Sequence, residues 1–211
     1  MTTMLKVWGR KTSINVQKVM WALAELNVPN ERVDAGGSFG QTRDPHYLAI
    51  NPNALVPTLV DGDFTLWESN SIVRYLAARY DKDHRLEPAD LRMRARAQMW
   101  MDWQLSVLQP SQRDLFWGLI RTEPDKRDAA AIDASRAKNT EAMKLLDAQL
   151  AKTAYVAGDV FTYGDIPVAT NAYRYWALVP EHPPLPHARR WYDAIAARPG
   201  FAAHVSAVPL S

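Results

Sequence analysis

Two dipeptides in the stretch NPNALVPTLVDGDFTLWESNSIVRYLAARY, from Asn51 to Tyr80, carry residue types able to hold a small zwitterion. The first, Val56–Pro57, stands directly before an apolar run with strand character. Proline has no N–H to give to a sheet, and the bond before it is the one peptide bond that readily becomes cis. A cis bond at Pro57 turns the chain sharply and leaves the Val56 N–H and C=O facing outward, ready to pair with an extended peptide as another strand would. The second, Glu68–Ser69, opens a helix. The first N–H groups of a helix and its positive dipole end favour an anion, and Glu68 can accept from an ammonium. An amino-acid head group, carboxylate and ammonium together, fits this pair.

The whole chain excludes several other chemistries. Cys is absent from all 211 residues, which removes disulfides, CxxC redox chemistry, cysteine nucleophiles and thiolate zinc sites. Any thiol chemistry must come from a ligand. The five His residues show no HExxH spacing and there is no GxxxxGK loop, so neither a metal nor a nucleotide is expected. The 25 basic and 23 acidic residues are interspersed, and no nucleic-acid partner is expected. No segment approaches the roughly 20 apolar residues of a membrane span, and MTTMLKVWGR has no apolar leader core, so a cytoplasmic protein without a membrane partner is expected. At 47% hydrophobic and 23% charged residues the chain is long enough for one large globular domain or two modest ones.

The elements that must position the two dipeptides follow from periodicity. MLKVW alternates like a first strand. From Asn15, Val16, Val19, Met20, Leu23 and Leu26 fall on one helical stripe, which Asn27 and Pro29 stop. ERVDA reads as a weaker strand and GGSFGQTRDP as loop. TLV, DGD and FTLW form a hairpin, with Asp61–Gly62 supplying positive φ, and Ser69 or Asn70 opens a helix with Ile72, Val73, Leu76 and Ala77 facing inward. The order β-α-β, loop, β-β-α makes a small mixed sheet with helices. DKDHRLEPAD reads as a linker, which predicts domains over 1–82 and 88–211. The second domain reads as all helix: one long helix from Leu91 to about Phe116 bent by Pro110, another over DAAAIDASRAKNTEAMKLLDAQLAK with Ile132, Leu145, Leu146 and Leu150 in the core, and shorter ones from Asp165 and about Leu185. Thr162 and Asp165 have capping-box spacing, with Phe161 and Ile166 placed as a hydrophobic staple, an architectural role. Trp191 and Tyr192 read as packing residues.

The segment from Asn51 to Tyr80 resembles the glutathione-binding half of the cytosolic glutathione transferases, whose signature is a V-P dipeptide, a hairpin and an E-S dipeptide opening a helix. The resemblance extends over the chain, of the bacterial serine type akin to the theta and nu classes. It implies a thioredoxin-like N-terminal domain followed by an all-helical domain, glutathione as co-substrate, and a homodimer. By position it implies that Val56, before Pro57, pairs through its backbone with the cysteinyl residue of glutathione, that Glu68 and Ser69 hold the γ-glutamyl head, and that Gln41 and Asn53 lie toward the glycine end. Ala54 and Leu55 stand where several classes carry a lysine for the glycyl carboxylate. In GRKTSINVQKVMWAL there is no tyrosine where many classes place one. Thr12, Ser13 and Asn15 are the polar candidates, and the alignment assigns catalysis to Ser13 with Asn15 assisting; Ser13 also suits the N-cap of its helix. On the long helix Ala95, Met99 and Trp103 recur every four residues, with Trp100, Val107, Arg113, Phe116 and Trp117 nearby. Met99, Trp103 and Arg113 are the candidates for an electrophile pocket, the aromatic and Met positions serving equally well as core or subunit contacts.

The implied reaction is attack of bound glutathione thiolate on a small apolar electrophile. Lowering a thiol pKa of about 8.5 by about two units takes roughly 2.7 kcal/mol. One hydrogen bond to a charged acceptor supplies about 1.5 to 3 kcal/mol and a helix N-terminus about 0.3 to 1. Two alternatives remain at this point: a glutathione-dependent disulfide reductase or peroxidase, and a non-catalytic glutathione-binding protein of the same fold.

Overall fold

In the computed structural model, which describes residues 4–211, the alternation of LKVW becomes β1 (Leu5–Trp8), with Leu5 and Val7 buried and Lys6 exposed. Helix α1 (Ile14–Leu26) follows, with Ser13 at its N-cap, and Asn27 closes it at φ 53, a left-handed conformation that a short polar side chain tolerates. Strand β2 (Asn30–Val33) pairs parallel to β1, one residue earlier than the ERVDA pattern suggests. The segment after it contains α2 (Pro45–Ile50), begun by a proline at the first helical position.

Strands β3 (Thr58–Asp61) and β4 (Phe64–Trp67) form the antiparallel hairpin. Its turn differs from expectation. Gly62 has φ 64, while Asp61 ends β3 opposite Phe64 and does not take a left-handed conformation. With Asp61 in the strand, the tight two-residue turn draws its positive φ from Gly62. The Asp61 carboxylate instead accepts from Tyr75 Oη at 2.7 Å and Tyr80 Oη at 3.0 Å, which ties the hairpin to α3 (Ser69–Tyr80). The sheet order is β2-β1-β3-β4. It is the mixed, thioredoxin-like arrangement in which α1 and α3 pack beside each other.

The linker is pinned at both ends. Asp81 accepts from the amides of Arg85, Leu86 and Glu87 at 2.9, 2.6 and 2.8 Å, Leu86 is buried, and its carbonyl accepts from Tyr163 N at 3.0 Å. Beyond it all elements are helical. The single helix predicted from Leu91 to Phe116 is divided: α4 (Leu91–Trp103) passes through a wide turn at 104–108 into α5 (Gln109–Ser111), breaks at Gln112, and resumes as α6 (Arg113–Phe116). Pro110 has no N–H, and its ring collides with the carbonyl four residues back. The wide turn, in which Gln109 N bonds Gln104 O, makes room.

Helix α7 (Ala129–Leu150) is capped by Asp128 and buries Ile132, Leu146 and Leu150. Leu145, predicted in the core, is 51% exposed, because the buried stripe runs through Ser135, Asn139, Ala142 and Met143 and leaves it on the flank. Helices α8 (Asp165–Leu178), α9 (Pro186–Ala196) and α10 (Pro199–Phe201) complete the chain. At the start of α8, Asp165 Oδ2 accepts from Thr162 N at 2.9 Å, and Thr162 Oγ1 accepts from Gly164 N rather than from Asp165 N. Phe161 and Ile166 are both buried, as are Trp191 and Tyr192. Trp191 Nε1 donates to Asp165 Oδ1 at 2.9 Å.

The apolar core is continuous between the two halves. Helix α1 packs on α3 with one side and on α8 and α10 with the other, so Trp21 is fully buried and meets Phe201 edge-on at 5.1 Å. Among the described residues no helix is long and apolar enough to cross a membrane.

Candidate active site

A cleft lies where the β1–α1 turn and the Val56 loop face α5, α6 and α8. It contains two cavities that share Asn15, Leu55 and Val56: a small one of about 50 Å³ bordered by Pro57, Glu68 and Ser69, and a larger one of about 590 Å³ bordered by Ser13 and the helical half. The Val56–Pro57 bond is cis. The loop around it is held from below. Leu55 O accepts from Tyr47 Oη at 2.7 Å and from Asn51 Nδ2 at 2.9 Å; Asn51 Nδ2 also donates to Thr58 Oγ1, whose hydroxyl is left to donate to Tyr47 Oη. Among the described residues no backbone group takes up the N–H or C=O of Val56 itself. A polypeptide ligand can pair there.

Glu68 occupies the N-cap of α3 at φ 71, a conformation uncommon for a residue with a Cβ. It is exposed and Ser69 behind it is buried. Asn53 lines the small cavity and donates through N and Nδ2 to Asn51 Oδ1 at 3.1 and 3.2 Å. Gln41 is exposed at φ 66 and borders neither cavity. The structure therefore brings Val56, Pro57, Glu68, Ser69 and Asn53 to one pocket and leaves Gln41 outside its wall.

Ser13 holds the N-cap position of α1, yet its hydroxyl makes no capping hydrogen bond. The side chain is nearly buried, 9% exposed, and lines the larger cavity. Asn15, two residues on, borders both cavities. Behind it lies Lys18, fully buried, whose Nζ donates to Asn15 Oδ1 at 3.0 Å, Gln104 Oε1 at 3.2 Å and Gln109 Oε1 at 3.5 Å. Burial, reinforced by the positive charge of Arg174 and opposed by Glu68, lowers the Lys18 ammonium to about 7. An ammonium only donates, so Asn15 Oδ1 is turned toward Lys18 and its Nδ2 is left to donate elsewhere. The same polarity continues inward: Gln104 Nε2 donates to Asn171 Oδ1 at 2.7 Å, Asn171 Nδ2 to Gln112 Oε1 at 2.9 Å, and Gln112 Nε2 to Asn139 Oδ1 at 3.2 Å.

The helical wall differs from the predicted pocket in two of three residues. Arg113 lines the larger cavity with Phe116 and Trp117. Met99 and Trp103 do not. Met99 is 55% exposed on α4, and the Trp103 ring stacks edge-on against Trp100 at 4.8 Å, because the face of α4 with that four-residue spacing turns away from the cleft. Arg10, Arg121 and Arg174 also border the cavity and were not singled out from sequence. Arg174 is 9% exposed, and its guanidinium lies 3.7 Å above the Phe116 ring. Burial, with the charges of Arg121 and Arg10, lowers it to about 9. The one local hint was an arginine inside the otherwise apolar run NAYRYWAL.

Known proteins share the sequence pattern and the fold of this chain. The model of the glutathione S-transferase N-terminal domain matches residues 3–78 and that of the C-terminal domain matches residues 101–199. Glutathione S-transferase GstB of Escherichia coli is 44% identical over 198 residues, covering 93% of this chain and 95% of that protein. Glutathione S-transferase 3 of Zea mays is 33% identical over 98% of this chain and 95% of its own length. The crystal structure of a theta class glutathione S-transferase from Xanthomonas axonopodis pv. citri, with glutathione bound, superposes with a TM-score of 0.94 at 41% identity over the whole of both chains. The chain belongs to the glutathione S-transferase family.

Proposed function

We propose that this protein is a glutathione transferase that binds glutathione along Val56, with Glu68 and Ser69 on the γ-glutamyl head and Asn53 toward the glycine end, and presents its sulfur at the junction of the two cavities. One observation carries the reading: the Ser13 hydroxyl is committed to no helix amide and borders the cavity at the start of α1. A donor there, with the Asn15 amide beside it, stabilises the thiolate without a general base. The sulfur then attacks an electrophilic carbon held against Phe116 and Trp117. Domains over 1–82 and 88–211 and a cytoplasmic location, where a reduced glutathione pool exists, belong to the same reading. So does a homodimer: Leu91 and Met99 on α4 and Phe64 and Trp67 on the edge strand β4 leave large apolar side chains exposed, the usual mark of a subunit contact. Light scattering is expected to return twice the mass of one chain.

The decisive experiment titrates the thiolate absorbance of bound glutathione. Ser13→Ala is expected to move the midpoint up toward the free-thiol value and to lower turnover near pH 6.5 by roughly ten- to hundredfold, the equivalent of one charge-assisted hydrogen bond, while calorimetric affinity for glutathione changes little. An unmoved midpoint removes Ser13 from the mechanism. Turnover of an activated aryl chloride exceeding that of a glutathione mixed disulfide separates transfer from reduction.

A further inference from the structure

Thiol activation leaves one feature of the larger cavity without a use. Four arginines line it, Arg10, Arg113, Arg121 and Arg174, and no carboxylate does. Of the thirteen arginines elsewhere, seven have an Asp or Glu partner: Arg32, Arg74, Arg79, Arg94, Arg136, Arg189 and Arg198. Among the described residues none of the cavity arginines takes part in an ion pair. Arg174 is the most telling, because it is nearly buried on α8, borders the cavity and feels the positive charges of Arg121 and Arg10. Burying a cation among like charges is costly, and it is relieved when a ligand brings an anion.

The loop opposite is shaped for one of these side chains. Gly36 and Gly37 both have positive φ, and a Cβ on either would come within 3.1–3.2 Å of the Arg10 side chain. The glycine pair thus lets Arg10 lie along the cavity wall between Val56 and the helical half. The residues proposed to hold the γ-glutamyl head, Glu68 for its ammonium and Ser69 for its carboxylate, border the other cavity, so that end of glutathione does not account for the arginines.

We propose that the second substrate is a carboxylate-bearing electrophile, its carboxylate seated between Arg174, Arg121 and Arg10 and its reacting carbon directed at the glutathione sulfur beside Ser13. This rests on the transferase reading. A guanidinium matches a carboxylate with two parallel N–H···O bonds, which orients the substrate as well as attracting it. Phe116 and Trp117 supply an apolar flank for the rest of the molecule. In the reaction the thiol proton has already passed to solvent, a C–S bond forms, the carbon–halogen bond breaks, and halide leaves with the bonding pair. The carboxylate is unchanged and nothing is oxidised or reduced.

The test compares 4-chloro-3,5-dinitrobenzoate with the uncharged 4-chloro-3,5-dinitrobenzamide, each rate divided by its uncatalysed rate with glutathione thiolate. The wild-type chain is expected to favour the benzoate by about tenfold or more in kcat/KM. Arg174→Met, which keeps an apolar contact with Phe116, and Arg121→Gln, at an exposed position, are each expected to collapse that ratio by about tenfold. Arg174→Lys restores part of it. A normalised ratio near one in the wild type, or one that Arg121→Gln leaves unchanged, overturns the proposal while the transferase reading stands. Variants that weaken calorimetric binding of glutathione but not of γ-glutamylcysteine, which lacks the glycyl carboxylate, also overturn it, since the arginines would then serve glutathione itself. No heat of binding with glutathione in the wild type overturns both readings.

Discussion

A lysine sealed from water with no carboxylate beside it must be held by neutral acceptors or lose its proton, and Lys18 shows both tendencies. Three amide oxygens surround its Nζ, while Arg174 repels it and Glu68 attracts it. Its pKa falls from 10.5 to about 7, so below pH 7 the folded chain carries the full cost of a buried ammonium and above it the cost fades. A base with a depressed folded pKa contributes stability above its unfolded pKa that is lost as pH falls toward the folded value. Compared with Lys18→Met, the wild-type chain is therefore expected to gain roughly 2–3 kcal/mol between pH 6 and pH 9, read from urea denaturation at the two pH values. A parallel pair of stability curves would show that Lys18 does not titrate. The sequence offered no sign of this. Lys18 follows Gln17 off the stripe of Val16 and Val19 and reads as solvent-facing, and it is buried because residues 104 and 109, far along the chain, close over it. Ser13, Val56, Glu68 and Ser69 could be picked out because each marks a boundary of a strand or helix, where the local pattern speaks.

Helix α8 is held at its start by one carboxylate. Asp165 accepts from Val156 N, Thr162 N and Trp191 Nε1 at 3.1, 2.9 and 2.9 Å, with Thr162 Oγ1 also close at 3.3 Å. Burial nevertheless raises its pKa to about 6. Asp165→Ala strands several buried donors and is expected to cost on the order of 3 kcal/mol or more, whereas Thr162→Ala, which strands Gly164 N, costs about 1 kcal/mol. Equal losses in equilibrium unfolding would refute that ranking. In the linker, Leu86→Ala is expected to cost about 2–4 kcal/mol, since its side chain is buried beside Tyr163. At this scale periodicity was informative but incomplete. It located α1, α3, α7 and α8 within a residue or two, and it misjudged Leu145 because a stripe of Ser135 and Asn139 is buried by hydrogen bonds that apolar patterning does not register. It read 91–116 as one helix because a wide turn accommodating Pro110 leaves no mark on composition.

Across the whole molecule, the helix that carries Ser13 belongs to both halves. Glu25 accepts from Trp21 Nε1 at 2.7 Å and from Arg198 through two bonds at 2.9 and 2.7 Å, and the Arg198 guanidinium lies 3.8 Å over the Phe161 ring. Glu25→Ala leaves the arginine and the indole N–H without their acceptor and is expected to cost about 2 kcal/mol, seen as a lower midpoint in a single cooperative denaturation rather than as two separated steps. The mixed sheet and the helical second half were legible because long patterns set them. Their docking was not, since it depends on Trp21 meeting Phe201 from opposite ends of the sequence. Hybrid genes spliced at the linker inherit this constraint: a second half taken from a relative brings its own counterpart of Arg198 and Phe201, and unless those suit Glu25 and Trp21, the grafted protein starts life with a bare indole and a carboxylate facing the wrong surface. Shuffling such proteins productively means moving the seam, with both of its sides, rather than the domains.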